Sequence, residues 1–130
     1  MPSIVGTWKM VGATARDRNG NPLPAPYGGR GMGRVMFNAE GRMMAVTCDG
    51  RLELPAGTVR AYSSYCGNYT FDGSRLITTV DAASDPSRIG SDQVREASFD
   101  GDRMILRPPP RQGEAGEEYR EITWERIAAE

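Results

Sequence analysis

The chain has no histidine. That removes the commonest acid/base residue near neutral pH and the commonest metal ligand, so histidine-based triads and ordinary catalytic zinc sites are excluded. Cysteine is scarce as well. Cys48 and Cys66 are too few and too far apart for a zinc ligand set or a disulfide framework, and reduced thiols are the expected state. Charge of one sign is missing too: 16 basic and 17 acidic residues leave a net charge of −1, which gives no strong pull toward nucleic acid or an anionic membrane. Lysine is almost absent, Lys9 being the only one. No apolar run approaches the roughly 20 residues of a membrane-spanning helix. The opening "MPSIVGTWKM" lacks a basic segment followed by an apolar stretch, so no signal peptide is expected and the chain reads as cytoplasmic.

What is abundant is punctuation. Sixteen Gly and nine Pro interrupt 130 residues at short intervals, and alternating apolar patches bounded by turn residues recur between them. This pattern predicts an all-β domain of eight strands near 6–14, 31–38, 42–48, 60–71, 74–82, 91–99, 103–108 and 118–127. The stretches 15–30 and 108–117 read as long connections, and 49–59 as a turn or lid. "FDGSRL" at 71–76 and "FDGDRM" at 99–104 repeat one turn: an aromatic residue, a tight Asp-Gly turn, then an apolar residue. Phe71 should face Leu76 and Phe99 should face Met104, while "FNAEGRM" pairs Phe37 with Met43 across a longer loop. Successive hairpins describe a meander, and eight antiparallel strands of this length tend to close into an up-and-down barrel, which removes exposed edges.

The same pairings fix the inward face, because side chains alternate with period two. Inward positions are then Trp8 and Met10; Val35 and Phe37; Met43, Ala45 and Thr47; Tyr65, Gly67, Tyr69 and Phe71. The set continues through Leu76, Thr78 and Val80, then Gln93, Arg95, Ala97 and Phe99, and ends with Met104, Leu106, Ile122, Trp124 and Arg126. "GGRGMG" at 28–33 precedes a strand rather than linking a strand to a helix, so it reads as a rim-shaping loop and not a nucleotide loop. Gly67 between two inward tyrosines reads as room for a ligand or a ring.

"GTW" at 6–8 resembles the Gly-x-Trp signature of lipocalins, in which the Trp crosses the closed end of the barrel under an Arg from the last strand; "WER" at 124–126 supplies Arg126. "GRVMFNAEGRMMA", "YCGNYTFD", "GSDQVREASFDGDRMILRPPP" and "ITWERI", in that order, resemble the bacterial and fungal lipocalin-like domain family of the calycin superfamily. The resemblance covers most of the chain and implies an eight-stranded lipocalin-like barrel. There are departures: Thr78 and Thr79 stand where members usually carry a His pair, and the segment before the fourth strand is shortened to 49–60. Any activity resting on that His does not transfer. The resemblance also implies Trp8 and Arg126 as structural closure.

Small eight-stranded barrels can hold one small ligand between mostly apolar walls. Polar residues on the inward face are therefore the candidates. Arg95 either meets a carboxylate, phenolate or enolate of a ligand or is satisfied internally, since an isolated buried charge is very costly. Tyr65 and Tyr69 either move a proton or stabilise an oxyanion, or they fill the core with their hydroxyls bonded internally. Gln93, Thr78 and Thr47 are candidate orienting groups, with Met10, Phe37, Met43 and Trp124 as lining. Asp81, Asp92 and Glu121 fall on the outward phase, so no carboxylate base is expected inside.

Two functions compete. One is a cofactor-independent isomerase, cyclase or lyase acting on a small hydrophobic, aromatic or polyketide-like metabolite, with Arg95, Tyr65 and Tyr69 as the catalytic set. The other is a non-catalytic binder or carrier of a small apolar ligand. A third, a solid barrel serving only as an interaction module, predicts no cavity of a few hundred Å3. No cofactor, metal, nucleic acid or membrane is expected as a partner, and the oligomeric state, monomer or homodimer, is left open.

Overall fold

Three short hairpin loops lie at the same end of the molecule, and their chemistry explains why. In Phe71–Leu76 and Phe99–Met104 the loop is two residues long with Gly first, and Gly73 and Gly101 take positive φ values of 105° and 59°. A glycine with positive φ at that position matches the right-handed twist of the flanking strands. Asp72 accepts hydrogen bonds from the backbone of Ser74 and Arg75, which locks the first loop. Between Phe37 and Met43 the loop is longer; Gly41 takes φ 90° and the Asn38 side chain accepts from the backbone of Glu40 and Arg42.

The computed structural model describes residues 3–113 and 116–129. The strands are β1 (Gly6–Asp17), β2 (Pro22–Leu23), β3 (Gly31–Phe37), β4 (Arg42–Asp49), β5 (Tyr62–Phe71), β6 (Arg75–Ala83), β7 (Asp92–Asp100), β8 (Arg103–Arg107), β9 (Arg111–Gly113) and β10 (Gly116–Ala128). All pairings are antiparallel in the order β1-β3-β4-β5-β6-β7-β8-β10, and β10 pairs back onto β1. The result is a closed eight-stranded up-and-down barrel with β2 and β9 appended at its rim and no α-helix among the described residues.

The eight expected strands are present, and the pairs Phe37–Met43, Phe71–Leu76 and Phe99–Met104 stand opposite each other. β1 runs on to Asp17 because Ala15–Asp17 pairs with Glu118–Arg120, and β10 begins at Gly116, where Gly116 and Glu117 pair with Gly113 and Gln112 of β9. These residues are mainly polar and charged, so period-two hydrophobicity does not reveal them. β2 and β9 lie inside the stretches expected as connections and are too short for a periodic signal. Residues 114 and 115, within the expected 108–117 connection, lie outside the described residues.

The core occupies the end that carries the short loops. Trp8, 1% exposed, crosses this floor; its indole N–H donates to the Ile4 carbonyl at 3.0 Å, and the Arg126 guanidinium lies 4.2 Å from its ring. Arg126 also donates to the Val5 and Ser3 carbonyls, so one cation ties the first segment to the last strand. Phe99 packs 6.3 Å from Trp8 and 5.9 Å from Phe71, and Leu76 and Met104 fill the space above.

Gly67 corrects the sequence reading. No ligand space adjoins it: a Cβ there would sit 1.9 Å from the Thr79 carbonyl oxygen, where β5 and β6 shift register at Cys66/Gly67. A bulge that lets two backbones approach this closely requires glycine. Gly67→Ala is therefore expected to lower stability by about 3 kcal/mol. Gly12→Ala, where nothing lies within 4 Å, should cost less than about 0.5 kcal/mol. Equal urea midpoints for the two variants would contradict this account of the bulge.

Candidate functional site

Every short loop lies at the floor, so every long connection frames the other end. These are residues 18–30, 50–61, 84–91 and 108–113. A cavity of about 470 Å3 opens there. Its lower walls are apolar, with Val35, Phe37, Met43, Ala45, Leu76 and Trp124. A cavity of this size sets aside the reading of a solid barrel.

Polar groups gather at the mouth. Tyr65 and Arg95 both line the cavity, and Arg95 makes the internal bonds weighed as its alternative, while Arg88 beside them was not anticipated. Arg88, from the one-turn 3-10 segment Pro86–Arg88, reaches inward. It donates to Ser63 Oγ at 3.0 Å and to Gln93 Oε1 at 2.7 Å, with its guanidinium 4.5 Å from the Tyr65 ring centroid. Arg95 donates to the same Gln93 Oε1 at 3.2 Å and to the Val94 carbonyl at 2.8 Å. Gln93 thus spans two cations. Asp85 fixes the turn that aims Arg88: its carboxylate accepts from the Ser87 backbone and hydroxyl, and those bonds hold its carboxyl below the ordinary range. Arg111 and Arg120 complete the basic rim, and Arg120 donates to Glu118 at 2.6 Å. No Asp or Glu among the described residues lines the cavity, and Asp81, Asp92 and Glu121 pair outside it with Arg42, Thr79 and Arg107.

The other candidates divide. Thr47, Phe37, Met43 and Trp124 line the cavity. Tyr69, Thr78, Met10 and Gln93 are not in its lining. Tyr69 packs edge-on against Phe37 with centroids 5.1 Å apart and donates its hydroxyl to the Asn38 carbonyl at 2.7 Å, down at the floor. Burial raises its phenol above the ordinary value, which keeps it a neutral donor. Thr78 is buried in the wall. Met10 fills the space left by Gly31 and Gly33, where a Cβ would lie 2.7 Å from its sulfur or 3.3 Å from its methyl. Those two glycines of "GGRGMG" therefore belong to β3 itself and not to a rim loop. The buried indole N–H of Trp124 has no partner among the described residues.

Tyr27 was also not anticipated. It is the one described non-glycine residue with positive φ, at 58°, followed by Gly28 and Gly29 in the same region. Such a backbone is uncommon for an aromatic residue and persists where its surroundings enforce it. Here the Tyr27 hydroxyl bonds to Thr47 Oγ1 at 2.9 Å over the cavity. Beneath Gly28 lies the Arg51 guanidinium, clamped by the buried Asp49 at 2.6 Å, and Arg60 donates to the Asp49 and Arg51 carbonyls at 2.7 Å each. Sequence periodicity could not find Arg88 or Tyr27, because both come from irregular segments; only their residue types beside Pro and Gly gave any signal.

The lipocalin-like domain family matches residues 5–127 of the chain. No curated protein and no solved structure shows significant similarity to it.

The hydrogen bonds from Arg51, side chain first and then backbone, hold the Asp49 carboxyl below its ordinary value of 3.8. A lowered folded value means that the stabilisation is complete above the ordinary range and is lost as pH falls through the folded value. Asp49→Asn is therefore expected to melt lower than the parent at neutral pH, with the difference shrinking as pH is lowered from about 5 to about 2.5. A gap in melting temperature that does not change over that range would refute the clamp.

Proposed function

The chain belongs to the lipocalin-like domain family, and from that premise we propose that it binds one small, largely apolar molecule inside the barrel. The observation that carries this reading is the cavity of about 470 Å3, apolar below and polar at its mouth. Its size falls within the range of ordinary small-molecule sites, and its lining follows their usual pattern of apolar walls with a few orienting groups. The unpartnered Trp124 N–H supports a ligand that brings a hydrogen-bond acceptor to the wall, since buried donors are normally satisfied.

A second reading is cofactor-independent isomerase, cyclase or lyase chemistry on an aromatic or polyketide-like metabolite. What favours it is the presence of Tyr65 and Arg95 in the lining of one cavity. A guanidinium placed there can stabilise developing negative charge, and the phenol can transfer a proton. Tyr69 has no part in this version, because its hydroxyl is engaged at the floor. Arg95→Met and Tyr65→Phe should each lower turnover of an enolisable aromatic substrate at least about tenfold; unchanged rates would remove the catalytic reading and leave the binding one intact.

The binding reading is tested with a neutral apolar fluorophore, N-phenyl-1-naphthylamine. Saturable one-to-one binding with quenching of tryptophan emission is expected. The quenching should be lost in Trp124→Phe and kept in Trp8→Phe, since only Trp124 lines the cavity. Ala45→Phe, which puts a ring into the cavity, should weaken binding at least about tenfold. Failure of every two- and three-ring aromatic in a panel, neutral or acidic, to bind would sink the proposal.

A further inference from the structure

We propose that the ligand is an acid: an apolar, ring-sized body carrying one carboxylate, which the Arg88–Arg95 pair receives at the cavity mouth. This rests on the reading that the barrel binds a small molecule, and it specifies the chemical class.

The first observation is an imbalance of charge. Among the described residues, four arginines line the cavity and no carboxylate does. Among the described residues, Arg120 has a carboxylate partner, whereas Arg88, Arg95 and Arg111 have none within ion-pair distance. On the outer wall the same chain pairs Arg42, Arg75, Arg103 and Arg107 with acids. Arg88 and Arg95 therefore stand without an acid partner in a concave, partly buried place, where leaving a guanidinium unpaired costs more than it does at the open surface.

The second observation is how the pair is held. Both guanidiniums donate to the single oxygen Gln93 Oε1, which draws two like charges together. A neutral amide orients them without neutralising either. Each guanidinium has five N–H donors, and two on each side chain are used within the protein, so three remain on each. A planar carboxylate accepts from such forks with short charge-assisted bonds. The Tyr65 ring against Arg88 fixes the plane of one fork.

The third observation is the shape below. The walls under the pair are apolar, with Leu76, Leu106 and Ile122 among them, so only the head of the ligand meets charge. The basic rim also raises the local concentration of anions at the entrance.

The test compares 2-naphthoate with 2-naphthamide, which share shape and differ in charge. At about 20 mM salt the carboxylate should bind at least about tenfold tighter. At about 500 mM salt that ratio should fall severalfold. In Arg88→Gln and in Arg95→Gln the ratio should drop to about twofold or less. In Arg75→Gln, on the outer wall, it should stay as in the parent, and circular dichroism checks folding. Equal affinity of the parent for the two probes overturns acid recognition while leaving the binding cavity standing. A tenfold preference that survives both arginine substitutions overturns the assignment to this pair. If neither probe binds, acid recognition fails, and binding of N-phenyl-1-naphthylamine decides separately whether the cavity reading stands.

Discussion

Closure of the sheet through β1 and β10 is the constraint on which the rest depends. An open eight-stranded sheet would leave two edges of unpaired backbone donors and acceptors, and its concave face would lie open to water. Pairing Thr7–Asp17 with residues of Glu118–Ala128 turns that face into an interior. The closure is reinforced where it begins. Arg126 covers Trp8 and bonds to the backbone of Ser3 and Val5, joining the two ends of the chain at the floor. Alternation then sorts every side chain into inside or outside, and the parity of the meander sends all short loops to one end and all long ones to the other.

The cavity follows from that asymmetry. Short loops permit tight packing, so the floor is filled by Trp8, Phe37, Phe71, Phe99 and Met104. Long connections cannot pack equally tightly, and the space they leave is the cavity. They also supply groups that strands alone would not place there: Arg88 from the 3-10 segment after Asp85-Pro86, and Tyr27 from the left-handed run before β3. The rim is costly to build. It holds a strained tyrosine backbone and two guanidiniums without acid partners, and sites that bind or react are where such costs are commonly retained.

Electrostatics separates outside from inside more sharply than hydrophobicity does. Outside, carboxylates and guanidiniums alternate across neighbouring strands and largely cancel. At the mouth Arg120 pairs with Glu118, whereas Arg88 and Arg95 have no carboxylate within ion-pair distance among the described residues and a neutral glutamine holds both in place. The near-zero net charge of the whole chain conceals this local excess, because composition sums over surfaces that never meet.

The sequence alone determined the eight barrel strands, their order and their inward faces, though not the short rim strands β2 and β9. Period-two alternation and Asp-Gly turns are local signals, and a one-residue slip would have turned Phe37, Leu76 and Met104 out to water. It also placed Arg95, Tyr65, Thr47, Phe37, Met43 and Trp124 around one lumen, since each sits on a strand of known phase. Tertiary structure alone decided the height of each group along the barrel axis. Period two reports a face and carries no depth, so Tyr69 shared the phase of Tyr65 and yet ended at the floor with its hydroxyl on Asn38. Only the folded chain could bring in Arg88 and Tyr27, because irregular segments have no repeat to read and their side chains are aimed by contacts made across the rim.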